Sequence, residues 1–276
     1  MTHWRTGVRR TNGINIHYIR TGGSKPPLVL LHGLTGSGAC WTPLARALES
    51  EYDVVMPDAR GHGNSSAPLH GYRYEDYARD VIGLIQGLGL TAPILLGHSM
   101  GGMTAAVVAS HVAGAIPSGA IPSGAIRCVV LVDPTFLSPQ RQREVHDSDV
   151  AEQHRRLLSL SKNDVLAQLR ARHTHRSPEI LEVLAEARLQ TQLSTFDVLT
   201  PPNPEYSRLV SNIHVPILLV IGDNTPVVTL ETARELQNLN PRLRVEQIQG
   251  TGHGLPYDQP ERLAAVARAF LSRDDA

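Results

Sequence analysis

The chain is poor in cysteine and lysine and carries no surplus of charge. Its two cysteines, Cys40 and Cys128, lie beside apolar sequence and make no disulfide framework, so each reads as a small buried thiol in a reducing compartment. Lys25 and Lys162 are its only lysines, and 26 basic residues are balanced by 26 acidic ones without a run of five like charges. Nothing in that balance attracts a polyanion, so no nucleic-acid partner is expected. No stretch reaches the roughly 18 apolar residues of a membrane span, and the opening "MTHWRTGVRR" lacks the apolar core of a signal peptide. These absences predict a soluble, cytoplasmic protein without membrane association. Metal and nucleotide signatures are missing too. There is no H-E-x-x-H, no histidine–cysteine spacing of a zinc site and no G-x-G-x-x-G after the first strand, so neither a metal nor a cofactor is expected.

What the chain does contain is enough apolar sequence, 41% of 276 residues, for one large core. It opens as a hairpin turning at Asn12-Gly13 into "INIHYIR", whose apolar residues alternate. Six short apolar runs follow: "PPLVLLHG", "YDVVMPD", "APILLGHS", "RCVVLVDP", "VPILLVIGD" and "LRVEQIQG". Helical patterns stand between them at 41–50, 74–88 and 100–110, and "PERLAAVARAFLS" closes the chain with proline in its first turn. Continuous apolar strands alternating with helices predict an α/β fold, a mostly parallel sheet of about eight strands covered by helices on both faces.

Residues 136–204 break the alternation. They are polar and helical in pattern, and Ser177-Pro178 is a good helix start, with serine as N-cap and proline at the first helical position. This segment reads as a helical cap inserted after the sixth strand, leaving 1–135 and 205–276 as the core. The repeat "GAIPSGAIPSGAI" at 114–126 has too few copies for a solenoid and reads as a lengthened loop without chemistry.

"GHSMG" at 97–101 is a G-x-S-x-G pentapeptide between a predicted strand and a predicted helix, the setting in which a sharp turn exposes a serine nucleophile, here Ser99. Neighbouring His98 reads as a supporting histidine, His62 as ordering its own loop, and Asp58 with Arg60 as a pair organising a turn. Four segments, "LLHGLTGSG", "DARGHGNS", "LLGHSMGG" and "GTGHGLPYDQPE", occur in the order found in α/β-hydrolases, and from about residue 8 to 271 the chain resembles that superfamily. The resemblance implies His253 as the general base and the backbone N–H groups of Leu34 and Met100 as the oxyanion hole.

The acid is less direct. The common pattern of the family places it after strand seven, where this chain has Thr225, an uncharged residue. Asp133, ending strand six in "VVLVDPT", is the first candidate, as in lactone hydrolases of similar arrangement; Asp223 is the alternative acid. Serine at position 99 argues against epoxide hydrolases and haloalkane dehalogenases, which have an aspartate there. The expected activity is cleavage of a small, fairly apolar carboxylic ester or lactone through an acyl-enzyme, with Phe136, Leu137 and apolar residues of the cap helices forming a lipophilic roof. Two other readings stand beside it, a carbon–carbon bond hydrolase acting on a diketone-like compound and a lactone-sensing protein with little turnover. Nothing in the sequence assigns an oligomeric state.

Overall fold

A computed structural model describes residues 4–111 and 126–272; the repeat, apart from Ile126, lies outside the described residues. The chain begins with an antiparallel hairpin, β1 (Arg5–Thr11) and β2 (Ile14–Arg20). Its turn takes positive φ at both Asn12 (48°) and Gly13 (80°), the two-residue geometry that matches the twist of the flanking strands. β3 (Pro27–Leu31), α1 (Thr42–Leu48), β4 (Asp53–Pro57), α2 (Tyr74–Gly87), β5 (Ile94–His98), α3 (Met100–His111) and β6 (Val129–Val132) then alternate. Five helices intervene before the next strand: α4 (Pro139–His146), α5 (Val150–Leu157), α6 (Lys162–Arg172), α7 (Pro178–Leu189) and α8 (Tyr206–Ser211). β7 (Ile217–Gly222), α9 (Leu230–Leu239), β8 (Leu243–Ile248), the single turn α10 (Leu255–Asp258) and α11 (Pro260–Leu271) complete the core.

The eight strands form one sheet in the order β1-β2-β4-β3-β5-β6-β7-β8, antiparallel only at the β1–β2 and β2–β4 pairs. The central strands bury both faces. Val29, Leu31, Leu95, Val129, Leu131, Leu219 and Ile221 join one apolar cluster. Their neighbours Leu28, Leu30, Leu96, Val130, Val132, Leu218 and Val220 join the other. Side chains alternate across a strand, so a strand buried on both sides must be apolar throughout, which is why these segments read as unbroken runs.

The helices between β6 and β7 have a small core of their own. Val165, Leu166 and Leu169 of α6 pack against Ile180, Leu181 and Leu184 of α7, with Cys40 of the core beneath them. Ser177 accepts a hydrogen bond from the Ile180 N–H and so starts α7 where the Ser-Pro pair predicts. Both cysteines are buried and unpaired. Among the described residues no helix is long and apolar enough to cross a membrane.

Candidate active site

The turn from β5 into α3 is tight enough to require two of its glycines. A Cβ on Gly97 would come within 2.1 Å of the Gly101 carbonyl oxygen, and one on Gly101 within 2.2 Å of the Leu31 oxygen. Between them Ser99 holds a φ of 54°, a conformation costly for a non-glycine residue. The strain sets its hydroxyl at the carboxyl edge of the sheet, where the loops after β6 and β8 also emerge.

Those loops bring two distant side chains to the serine. His253 Nε2 lies 3.1 Å from Ser99 Oγ, and on its other side Nδ1 lies 2.6 Å from Asp133 Oδ2. With the proton on Nδ1 donated to the carboxylate, Nε2 is left to accept the serine proton. Asp133 is wholly buried, yet its carboxylate is satisfied: Oδ1 accepts from Val228 N–H at 2.9 Å and Oδ2 from Val227 N–H at 3.0 Å. Burial alone would raise its pKa; the hydrogen bond and electrostatic attraction of the His253 ring, together with the two backbone donors, outweigh it and hold the carboxyl below its usual value. The loop after β7 thus offers no carboxylate at Thr225 but supplies the two amides that hold a carboxylate from β6. Asp223 faces elsewhere, accepting from Gly250 N–H at 2.8 Å and Thr251 N–H at 3.2 Å, which ties the β7 and β8 loops together.

Around this line two further histidines are buried and neutral. His98 donates Nε2–H to the carbonyl of His253 at 2.7 Å, and burial pushes its pKa down to about 3. His32 accepts from Ala59 N–H through Nε2 at 2.9 Å and donates Nδ1–H to the Gly33 carbonyl at 2.8 Å. That carbonyl belongs to the same planar peptide as the Leu34 N–H, so holding one fixes the direction of the other. Met100 opens α3, and its N–H is among those a helix leaves without an internal acceptor. The sequence gives no separate signal for the role of His32; only the hydrogen bonds reveal it.

Two expectations are corrected. Arg60 does not pair with Asp58 but grips Asp80 of α2 through two contacts of 2.6 Å. The oxygens of Asp58 are already taken by the N–H groups of Gly38 and Asn64 and by His17. His62 does hold its own loop, through the Arg60 carbonyl. The lipophilic roof is met only in part: Val150 and Leu157 of α5, with Leu160 and Phe196, line the cavity in front of Ser99, but Phe136 and Leu137 do not take part. Phe136 is buried in the core, stacked on Tyr206 at 5.3 Å.

That cavity has a volume of about 740 Å³, lies between the core and the cap helices, and has Ser99, His253, Leu34 and Thr35 on its core side. Among the described residues no group of three or more histidine, cysteine, aspartate or glutamate side chains is arranged to hold a metal ion.

Comparison with known proteins agrees with this architecture. A model of the alpha/beta hydrolase family matches residues 28–266. The 2-(acetamidomethylene)succinate hydrolase of Mesorhizobium japonicum is 27% identical, over 92% of this chain and 90% of that protein. Epoxide hydrolase 3 of Xenopus tropicalis is 28% identical over 96% and 77% respectively. Among solved structures, the N-formylmaleamic acid deformylase of Pseudomonas putida S16 matches with a TM-score of 0.80 at 23% identity, covering 95% of this chain and 100% of that one, a likeness of fold.

Proposed function

The chain belongs to the alpha/beta hydrolase family, and within it we propose that it is a serine hydrolase that cleaves an ester or lactone through an acyl-enzyme. The observation that carries this reading is the unbroken line of hydrogen bonds from Ser99 through His253 to Asp133. Ser99 Oγ attacks the substrate carbonyl carbon while His253 Nε2 takes its proton. Asp133 holds the imidazole in the required tautomer and stabilises the cation that forms. The tetrahedral oxygen receives hydrogen bonds from the N–H groups of Leu34 and Met100, each worth roughly 3 kcal/mol of transition-state stabilisation in such sites. Collapse expels the alkoxide, which takes the proton from His253; water then enters by the same route and releases the acid.

Residue 99 also bears on the relative named as an epoxide hydrolase, because the nucleophile position in that subgroup is an aspartate, whereas here it is serine. A second reading, hydrolysis of an N-acyl bond by the same triad, is favoured by the acetamido compound in the name of the Mesorhizobium relative. A panel of activated esters, lactones and N-acyl compounds, assayed with wild type beside Ser99→Ala, tests both. The expected result is turnover of an ester or lactone that Ser99→Ala abolishes. Turnover confined to N-acyl compounds would favour the second reading, and equal rates in both proteins would overturn the serine mechanism.

A further inference from the structure

The cavity in front of Ser99 is lined on its cap side by three arginines from three successive helices, Arg156 of α5, Arg172 of α6 and Arg188 of α7. Among the described residues that line it there is no aspartate or glutamate. Arg156 shares Glu152 with Arg155 on the exposed face of α5, whereas among the described residues Arg172 and Arg188 have no acidic partner within ion-pairing distance.

Arg188 is the one of the three that is not exposed. It is half-buried with no carboxylate beside it among the described residues, whereas Arg60 is matched by Asp80 and Arg176 by Asp258. Burial first, then the guanidinium of Arg176 and, more weakly, that of Arg172, press its pKa down. The two groups near it that could become anions are un-ionised at neutral pH: burial pushes the Cys40 thiol up to about 11 and the Tyr257 hydroxyl far above its ordinary value. A guanidinium nonetheless stays protonated, so the cavity wall holds a cation that the protein itself does not neutralise. Removing a charge from water without a partner is unfavourable, and a planar fork of donors is shaped for a carboxylate.

Resting on the reading of Ser99 as nucleophile, we infer that the substrate of this site carries a free carboxylate in addition to the bond that is cleaved, and that Arg188 receives it. Arg172 and Arg156 give the entrance the same sign and draw an anionic substrate inward. The volume of about 740 Å³ lies in the range of small-molecule sites, and Arg188 and Ser99 both line it. A neutral lipophilic ester of the same length fits the space but leaves the guanidinium unmatched. Val150, Leu157, Leu160 and Phe196 also line the cavity and suit an apolar chain, so it is the unmet charge that separates an acidic substrate from its neutral counterpart.

Two esters that differ only in this feature provide the test: the mono-4-nitrophenyl ester of glutaric acid and its counterpart with the distal carboxyl methylated. Wild type should favour the acid by about ten- to a hundredfold in kcat/KM, mainly through KM, as expected for one charge-assisted hydrogen-bonded pair. Arg188→Gln should reduce that ratio to about threefold or less, and Arg188→Lys should keep part of it. Because the readout is a ratio, any general loss of activity cancels. Equal rates for the two esters in wild type, or a preference untouched by Arg188→Gln, would overturn the inference. If neither ester is turned over, it is the ester reading that has failed. Calorimetry with Ser99→Ala then decides the carboxylate question alone: monomethyl glutarate binding at least tenfold tighter than dimethyl glutarate supports it, and equal binding contradicts it.

Discussion

His98 donates its Nε2 proton to the main-chain carbonyl of His253 at 2.7 Å, with the two rings 4.7 Å apart. The residue beside the nucleophile therefore fastens the backbone of the base, 155 positions later in the chain. Replacing it removes an anchor but no reacting group. His98→Ala should lower kcat by about ten- to a hundredfold, the scale on which small misplacements act, with little change in KM. His98→Gln, which keeps a donor, should recover part of the loss. Steady-state kinetics on one ester read the result, and an unchanged kcat in His98→Ala would remove His98 from the account.

The same burial makes the fold sensitive to acid. His32, His62 and His98 all have depressed pKa values, with desolvation as the largest cause in each case. The unfolded chain takes up protons at these positions near pH 6.5, whereas the folded chain does so only at lower pH. Below pH 6.5 the unfolded state binds more protons, so stability falls as pH falls, by about 1.4 kcal/mol per pH unit for each such histidine until its folded value is reached. Urea unfolding of wild type at pH 7.5, 6.5, 5.5 and 4.5 should show this decline, and His98→Gln should flatten it by about one proton. Parallel curves for the two proteins would mean that His98 titrates normally.

Much of this is legible in the sequence itself. The apolar runs mark central strands because their side chains are buried on both sides, and "GHSMG" marks the elbow because its glycines are forced by backbone contacts near 2 Å. Thr225 in place of a carboxylate directs attention to Asp133, which is the carboxylate bonded to His253. Other features depend on pairings with no local signature. Arg60 finds Asp80 across a helix, and Asp133 is held by the Val227 and Val228 amides of a loop 94 residues away. α9 follows from the Thr229 cap and the apolar spacing of Leu230, Ala233 and Leu236, a pattern overshadowed by the strand before it. The arginine-lined cavity is invisible in sequence because its three arginines lie on separate helices that meet only on folding.

The choice of acid yields a paired prediction. Asp133→Asn should reduce kcat by roughly 10³- to 10⁴-fold, because an amide leaves His253 without its carboxylate and disturbs its tautomer. Asp223→Asn loosens the tie between the β7 and β8 loops and should change kcat by less than about tenfold. The reverse order of effects, measured on one substrate, would transfer the acid role to Asp223.

Arg176 fastens the cap to the core. Its Nε donates to Asp258 Oδ1 at 2.6 Å, both side chains are largely buried, and the guanidinium lies over the Tyr257 ring at 5.4 Å. Arg176→Ala strands the Asp258 carboxylate with exposed His175 as its one ionic partner among the described residues and should destabilise the protein by about 3 kcal/mol. Hydrogen exchange should then accelerate in α6 and α7 before it does in the central strands. Uniform acceleration across the sheet would show that the contact does not act on the cap.

The most direct measurement is to catch the covalent intermediate. Wild type mixed with an excess of an activated ester, quenched in acid within the first turnovers, digested and analysed by mass spectrometry, should carry the acyl group on the peptide containing Ser99. Asp133→Asn should carry the same group but acquire and lose it more slowly. Hydrolysis that proceeds with Ser99 unmodified at every quench time, or with the acyl group on another residue, would contradict the account.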